Sequence, residues 1–105
     1  MEKKTKTYRS LVAKINWHID EHSLLAPDYR KWYVGVSNSP RRRRKEHEDA
    51  FGFGIQHYAV FYAYTKKTAS QVEDFFSKKG TAQALGSRCA TEDSHWVYVY
   101  KKPLF

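Results

Sequence analysis

Apolar residues recur along this chain with two different periods. In "SLVAKINWHID" the side chains of Leu11, Ala13, Ile15, Trp17 and Ile19 occupy every second position, the period of a strand with one apolar face. "EHSLLAPDYRK" follows as a polar connection with a short apolar centre and a break at Pro27. "KWYVGVS" predicts a second strand, with Trp32, Val34 and Val36 alternating with Tyr33 and Gly35. Asn38 or Ser39 is then placed to cap a helix that opens with Pro40 and runs to Phe51, before "GFG". "IQHYAVFYAYT" reads as a third strand, rich in aromatic and branched side chains. "TASQVEDFFSKKG" reads as a second helix: Thr68 and Gln71 have capping-box spacing, Val72, Phe75 and Phe76 form an apolar face, and Gly80 ends it. In the last strand, "HWVYVYKK", Trp96, Tyr98 and Tyr100 face one way and Val97 and Val99 the other.

The predicted order is therefore β-β-α-β-α-β. It describes an α+β domain with a small, mainly antiparallel central sheet flanked by helices. A length of 105 residues suits one core, so residues 8–105 are expected to form a single domain behind a basic, flexible tail at 1–7.

Composition narrows the choice of partner. Lys and Arg number 19 against 11 acids, giving a net charge of +8 that attracts polyanions, most commonly nucleic acid; an anionic membrane surface would attract it too. A single cysteine, Cys89, excludes an internal disulfide framework and a cysteine-based zinc site. No apolar signal core opens the chain and no run approaches membrane-spanning length, so a cytoplasmic protein without a membrane partner is expected.

Helical spacing divides the run of four arginines. Arg43 and His47 lie four apart and share a face that continues to Phe51. Arg42 and Glu46 form another such pair, and Arg41, Arg42 and Arg44 read as solvated charges or phosphate contacts. An arginine and a histidine on one face near a tyrosine suit phosphodiester chemistry. Guanidinium offers a permanent, forked set of donors to phosphate, and imidazole relays protons near neutral pH. The plainer reading is that Arg43 pairs with Glu46 or Glu73 and His47 caps or packs. Likewise "HWVYVY" reads as core packing before it reads as a platform for stacked bases. His22, His57 and His95 show no ligand spacing with one another or with Cys89.

"WYVGVSNSPRRRRKEH" resembles the second half of the core motif of the GIY-YIG nuclease superfamily. "YVG" is Tyr33, Val34 and Gly35; a turn with Asn and Pro follows; Arg43 and His47 come ten and fourteen residues after Tyr33. "ASQVEDFF" supplies Ala69, Val72 and Glu73 in the pattern around the family's metal-binding glutamate, so the resemblance spans Lys31 to Phe76. The "GIY" half is not matched. Its tyrosine would fall on the strand before "YVG", where "AKINWHID" offers Trp17 or His18, and the family's downstream asparagine has only Gln83 as a substitute.

The resemblance implies a GIY-YIG-like fold and a metal-dependent endonuclease that hydrolyses DNA. Glu73 would hold Mg²⁺ or Mn²⁺ and Arg43 would grip the scissile phosphate. Tyr33, or His18 in place of the missing tyrosine, would act as base, with His47 orienting Tyr33 or helping to take its proton. Lys31, Arg41, Arg42 and Arg44 would contact phosphates away from the break. Other nucleic acids remain possible substrates, and a protein partner or a homodimer could direct the enzyme. Two alternatives stay open: a degenerate relative that binds nucleic acid without cutting, and a small basic protein-interaction domain.

Overall fold

The structure, a computed structural model, describes residues 5–23, 27–51, 56–83 and 95–102. Cys89 and the tail at 1–4 lie outside them, as do the side chains of His47, Phe51 and Gln83.

The chain opens with a helix, α1 (Lys6–Glu21), where the alternation of apolar residues predicts a strand. Leu11, Ile15 and Ile19 are four apart, and a spacing of four satisfies both period two and period 3.6. The side chains that distinguish the two are Ala13 and Trp17. Both are exposed, Trp17 by 65%, while Tyr8 and Val12 pack against the core instead. Thr5 completes the helical signal: its side chain accepts the Tyr8 N–H at 3.0 Å and caps the first turn. Lys6 and Thr7, placed in the tail by sequence, are thus helical.

A single 3₁₀ turn at Tyr29–Lys31 leads into β1 (Trp32–Ser37), and α2 (Pro40–Phe51) follows. Its first backbone hydrogen bond runs from Arg43 N–H to the Ser39 carbonyl at 3.1 Å. Next come β2 (Gln56–Tyr62) and α3 (Lys66–Lys79). The cap of α3 is Thr65 rather than Thr68: the Thr65 hydroxyl accepts the Thr68 N–H at 3.1 Å, which moves the helix start three residues upstream of the predicted capping box. Gly80 ends the helix at φ +114°, a left-handed conformation that costs glycine little. β3 (Ala82–Gln83) is a short addition to the predicted elements, and β4 (Trp96–Lys101) is the last strand.

The sheet order is β2-β4-β1-β3. β4 lies between β1 and β2 and is antiparallel to both; β3 pairs with β1 in parallel. The protein is therefore α+β, with three antiparallel strands at the heart of its sheet. The element order differs from β-β-α-β-α-β at its first member, which is α1.

Alternation in β1 and β4 divides the sheet into two faces. Trp32, Val34, Val36, Val97 and Val99 join Leu11, Ile15 and Ile19 of α1 and Ala69, Val72 and Phe76 of α3 in the main core. Tyr33, Tyr98 and Tyr100 form a second cluster with Tyr58 packed against it. Among the described residues, no helix is long and apolar enough to cross a membrane.

The position of Trp17 tests the helix directly. Ile15→Ala is expected to lower stability by about 2–4 kcal/mol, because it empties a fully buried site. Trp17→Ala is expected to change it by less than about 0.5 kcal/mol. Urea unfolding measures both, and comparable losses would mean that Trp17 shares the buried face.

Candidate active site

The second cluster is built on the pairing of β1 with β4, whose register sets Tyr33 opposite Tyr100 and Gly35 opposite Tyr98. The Tyr33 ring stacks on Tyr100 at 4.9 Å and on Tyr98 at 6.0 Å, and Tyr58 of β2 stacks on Tyr98 at 6.1 Å. The Tyr98 ring lies across Gly35. A Cβ there would collide with the Tyr98 hydroxyl and ring carbons, so the glycine of "YVG" is the space that the phenol of β4 fills.

Helix α2 lies against β4 and brings two arginines to this cluster. Arg43 is close enough for its charge to act on the phenols of Tyr33 and Tyr98. The Arg44 guanidinium sits over the Tyr58 ring at 5.0 Å, a cation–π contact. The pairings agree with the plainer sequence reading for Arg43 and correct it for Arg42. Arg43 pairs with Glu46 at 3.3 Å and Arg44 with Glu48 at 3.5 Å, whereas Arg42 donates back to Asn38 Oδ1 at 3.3 Å instead of meeting Glu46. Arg41 and Lys31 are exposed.

Helix α3 packs against β1 and contributes Glu73. This residue is 5% exposed, and its Oε2 has no hydrogen-bond partner. Burial, and then the neighbouring charge of Asp74, raise the Glu73 carboxyl to about 7. Its negative charge acts in turn on the Tyr33 phenol. That phenol is 8% exposed and pushed up to about 12, mainly by burial. Two influences oppose the rise: a side-chain hydrogen bond shared with Tyr98, and the Arg43 charge. Burial pushes Tyr58 to about 12 as well. At neutral pH all these phenols are protonated.

Three of the residues singled out in sequence therefore meet: Tyr33, Arg43 and Glu73. A second buried polar atom in the group is unpartnered, Arg43 Nε. An arginine donor and a carboxylate oxygen, both without partners and both in side chains whose charge acts on the Tyr33 phenol, are complementary to a phosphate and a hard cation respectively. Glu73 suits Mg²⁺ in this respect, because that ion takes one or two carboxylates and fills its other positions with water and phosphate. Among the described residues no group of three or more His, Cys, Asp or Glu could hold a metal by itself.

No protein-family model, no curated protein and no solved structure matches this chain.

His18 is not part of the group. Its ring packs edge-on against Trp32 at 5.7 Å, on the opposite face of β1 from Tyr33, and its Nε2–H donates to the His57 carbonyl at 2.7 Å. It cannot serve as the base beside Tyr33 from there. This follows from α1 being a helix, since the strand reading had carried His18 into the sheet. His47 belongs to α2, with its side chain outside the described residues.

The residue that sequence reasoning missed is Tyr98. Alternation in "HWVYVY" put Tyr98 and Tyr100 on one face, but only the sheet order reveals that the last strand lies beside "YVG". Tyr98 shares a side-chain hydrogen bond with Tyr33, so the second phenol beside Tyr33 comes from β4 and not from the strand before "YVG".

Two measurements check this arrangement. Because folded Glu73 holds its proton more tightly than the unfolded chain, its contribution to stability is lost as pH rises from 4.5 through about 7. Glu73→Gln is expected to match the wild type near pH 4.5 and to exceed it above pH 8 by on the order of 3 kcal/mol; a gain independent of pH would show that Glu73 is not buried as a carboxylate. Gly35→Ala is expected to cost about 1–3 kcal/mol in denaturant unfolding by displacing the Tyr98 ring. A neutral effect would mean that the ring does not lie across the glycine.

Proposed function

We propose that this chain is a metal-dependent endonuclease of the GIY-YIG type, hydrolysing phosphodiester bonds in DNA. One observation carries the reading: the phenol of the "YVG" tyrosine lies where the Arg43 charge and the Glu73 carboxylate both act on it. Residues 40 positions apart in sequence, matched to the motif separately, meet at one place. The net charge of +8 supports a polyanionic substrate.

In this reading β4 stands in for the unmatched first strand. It runs antiparallel beside β1 and lays Tyr98 against Tyr33, so the family's pair of tyrosines is assembled from the last strand of the chain rather than an earlier one.

The roles follow from the charges. Arg43 turns its unpartnered Nε edge to an oxygen of the scissile phosphate, while Glu46 holds the other end of the guanidinium. Tyr98 shares a hydrogen bond with the Tyr33 hydroxyl and so helps to hold it in place. Tyr33, a neutral phenol at rest, would orient the attacking water and take its proton while passing its own phenolic proton to His47, a loss that the Tyr98 hydrogen bond and the Arg43 charge both favour. His47 keeps the role of orienting Tyr33. Glu73 would hold the divalent cation, which, when bound, would offset the carboxylate charge opposing ionisation of Tyr33 and stabilise the leaving oxygen. Arg44, Arg41, Arg42 and Lys31 supply charge along the flanking backbone.

A second reading, binding without cutting, is favoured by the closure of the site, since Tyr33 and Glu73 expose so little surface.

Plasmid nicking with Mg²⁺ separates the two. Glu73→Ala and Arg43→Ala are each expected to lower the rate by about a hundredfold or more, and Tyr98→Phe by about tenfold. Cutting that survives both of the first two substitutions would overturn the site. Steeply salt-dependent binding with no cutting would favour the second reading. Independently of activity, Mg²⁺ is expected to raise the thermal midpoint of the wild type and not of Glu73→Gln.

A further inference from the structure

Helix α1 and the edge strand β2 enclose a surface that the proposed site does not use. A groove of about 590 Å³ runs between them, lined by Lys6, Ser10 and Lys14 on one side and Phe61, Tyr62 and Tyr64 on the other. A second hollow, of about 430 Å³, continues it along the helix past Lys14 and Phe61 to Trp17. Lys6, Ser10, Lys14 and Trp17 follow one another at intervals of four, four and three residues, so one helical stripe forms the whole wall. The lining contains lysines and no acid. Neither Lys6 nor Lys14 is ion-paired with a described residue.

The aromatics of this trough are more exposed than packing requires. Trp17 and Tyr64 are each 65% exposed and Tyr62 41%. Tyr62 and Tyr64 meet edge-on at 4.6 Å, and Tyr62 leans on Trp96 at 4.8 Å, which fixes its ring at the rim. Tyr64 also stands at φ +69°, a left-handed conformation that is costly for a large side chain. Strain of this kind persists where the local structure has another use for it. Here it turns a large ring out to solvent at the end of β2.

We propose that this trough binds single-stranded DNA, with bases stacked on Trp17 and Tyr64 and phosphates against Lys6 and Lys14. Cations along a groove with aromatic faces at its edge are the arrangement that holds single strands without reading sequence, because every base has a stacking face and every nucleotide a phosphate. An acidic peptide would use the lysines but not the rings. An anionic membrane would meet a flat apolar surface better than a trough. The choice of DNA over RNA rests on the endonuclease reading; the groove itself does not.

The test uses a fluorescein-labelled oligodeoxythymidine of about 16 nucleotides, without divalent cation, followed by anisotropy. Trp17→Ala and Tyr64→Asn are each expected to weaken binding by about fivefold or more. Tyr64→Asn is also expected to leave the thermal midpoint unchanged or raised, because asparagine tolerates the left-handed backbone. Lys14→Gln is expected to lower the slope of log affinity against log salt by about 0.7, the value for one phosphate contact to a single strand. Binding unchanged by Trp17→Ala and Tyr64→Asn would overturn the proposal, as would tighter binding to oligouridine or to anionic phosphatidylserine vesicles. If the wild type binds in this Trp17-dependent way and cuts no plasmid with Mg²⁺, the groove stands and the endonuclease reading falls. If it cuts and the oligonucleotide ignores Trp17, the reverse holds.

Discussion

Everything on the tyrosine face depends on how closely β4 can approach β1 at Gly35. The backbone there carries no side chain, and the Tyr98 ring occupies the space that one would take. That contact fixes the register of two antiparallel strands, and the register decides which phenol lies beside Tyr33. A slip of one residue would turn the tyrosines of β4 into the aliphatic core and its valines outward. The alternation of valine and tyrosine in β4 makes such a slip unfavourable on both faces at once, so packing and hydrogen bonding specify the same pairing.

Around this platform the electrostatics are in tension. Glu73 is buried without a partner for one oxygen, Arg43 is half satisfied by Glu46, and burial holds the phenols in their neutral form. A fold selected for stability alone would place a leucine or glutamine at position 73. The arrangement is intelligible as a cost accepted for function: the unpartnered Arg43 Nε and Glu73 Oε2 are atoms that an anion and a cation, arriving together, would complete. The proposed reaction rests on that complementarity, with the buried phenols supplying direction rather than charge.

Much of this fold is legible in sequence because it is local. The alternation in "KWYVGVS" and "HWVYVY" was enough to assign each side chain to a face, and Pro40 and Gly80 mark helix ends through fixed backbone preferences. Two things were not legible. The spacing of Leu11, Ile15 and Ile19 fits strand and helix equally, and the residues that decide, Ala13 and Trp17, are ones whose exposure no pattern reveals. The neighbourhood of β1 is a matter of long-range pairing, on which local periodicity is silent. This is why the tyrosine beside Tyr33 was sought upstream, at Trp17 or His18, while it lay 65 residues downstream. The contact of Arg44 with Tyr58 was not legible either: the two lie on consecutive elements, α2 and β2, but spacing along a helix does not say which strand its arginine meets.

The place of β4 has a bearing on how the molecule is made. Among the described strands, β4, which pairs with both β1 and β2, is the one synthesised after the rest. Until it emerges, β1 and β2 have no common neighbour, and Trp32, Val34 and Val36 have only helices to cover them. Such long-range closure slows folding and leaves strand edges open during synthesis. It also means that Tyr33, Arg43 and Glu73 are all translated before the element that assembles them. A nascent chain carries the charges of the site without its geometry, and only the final strand converts one into the other.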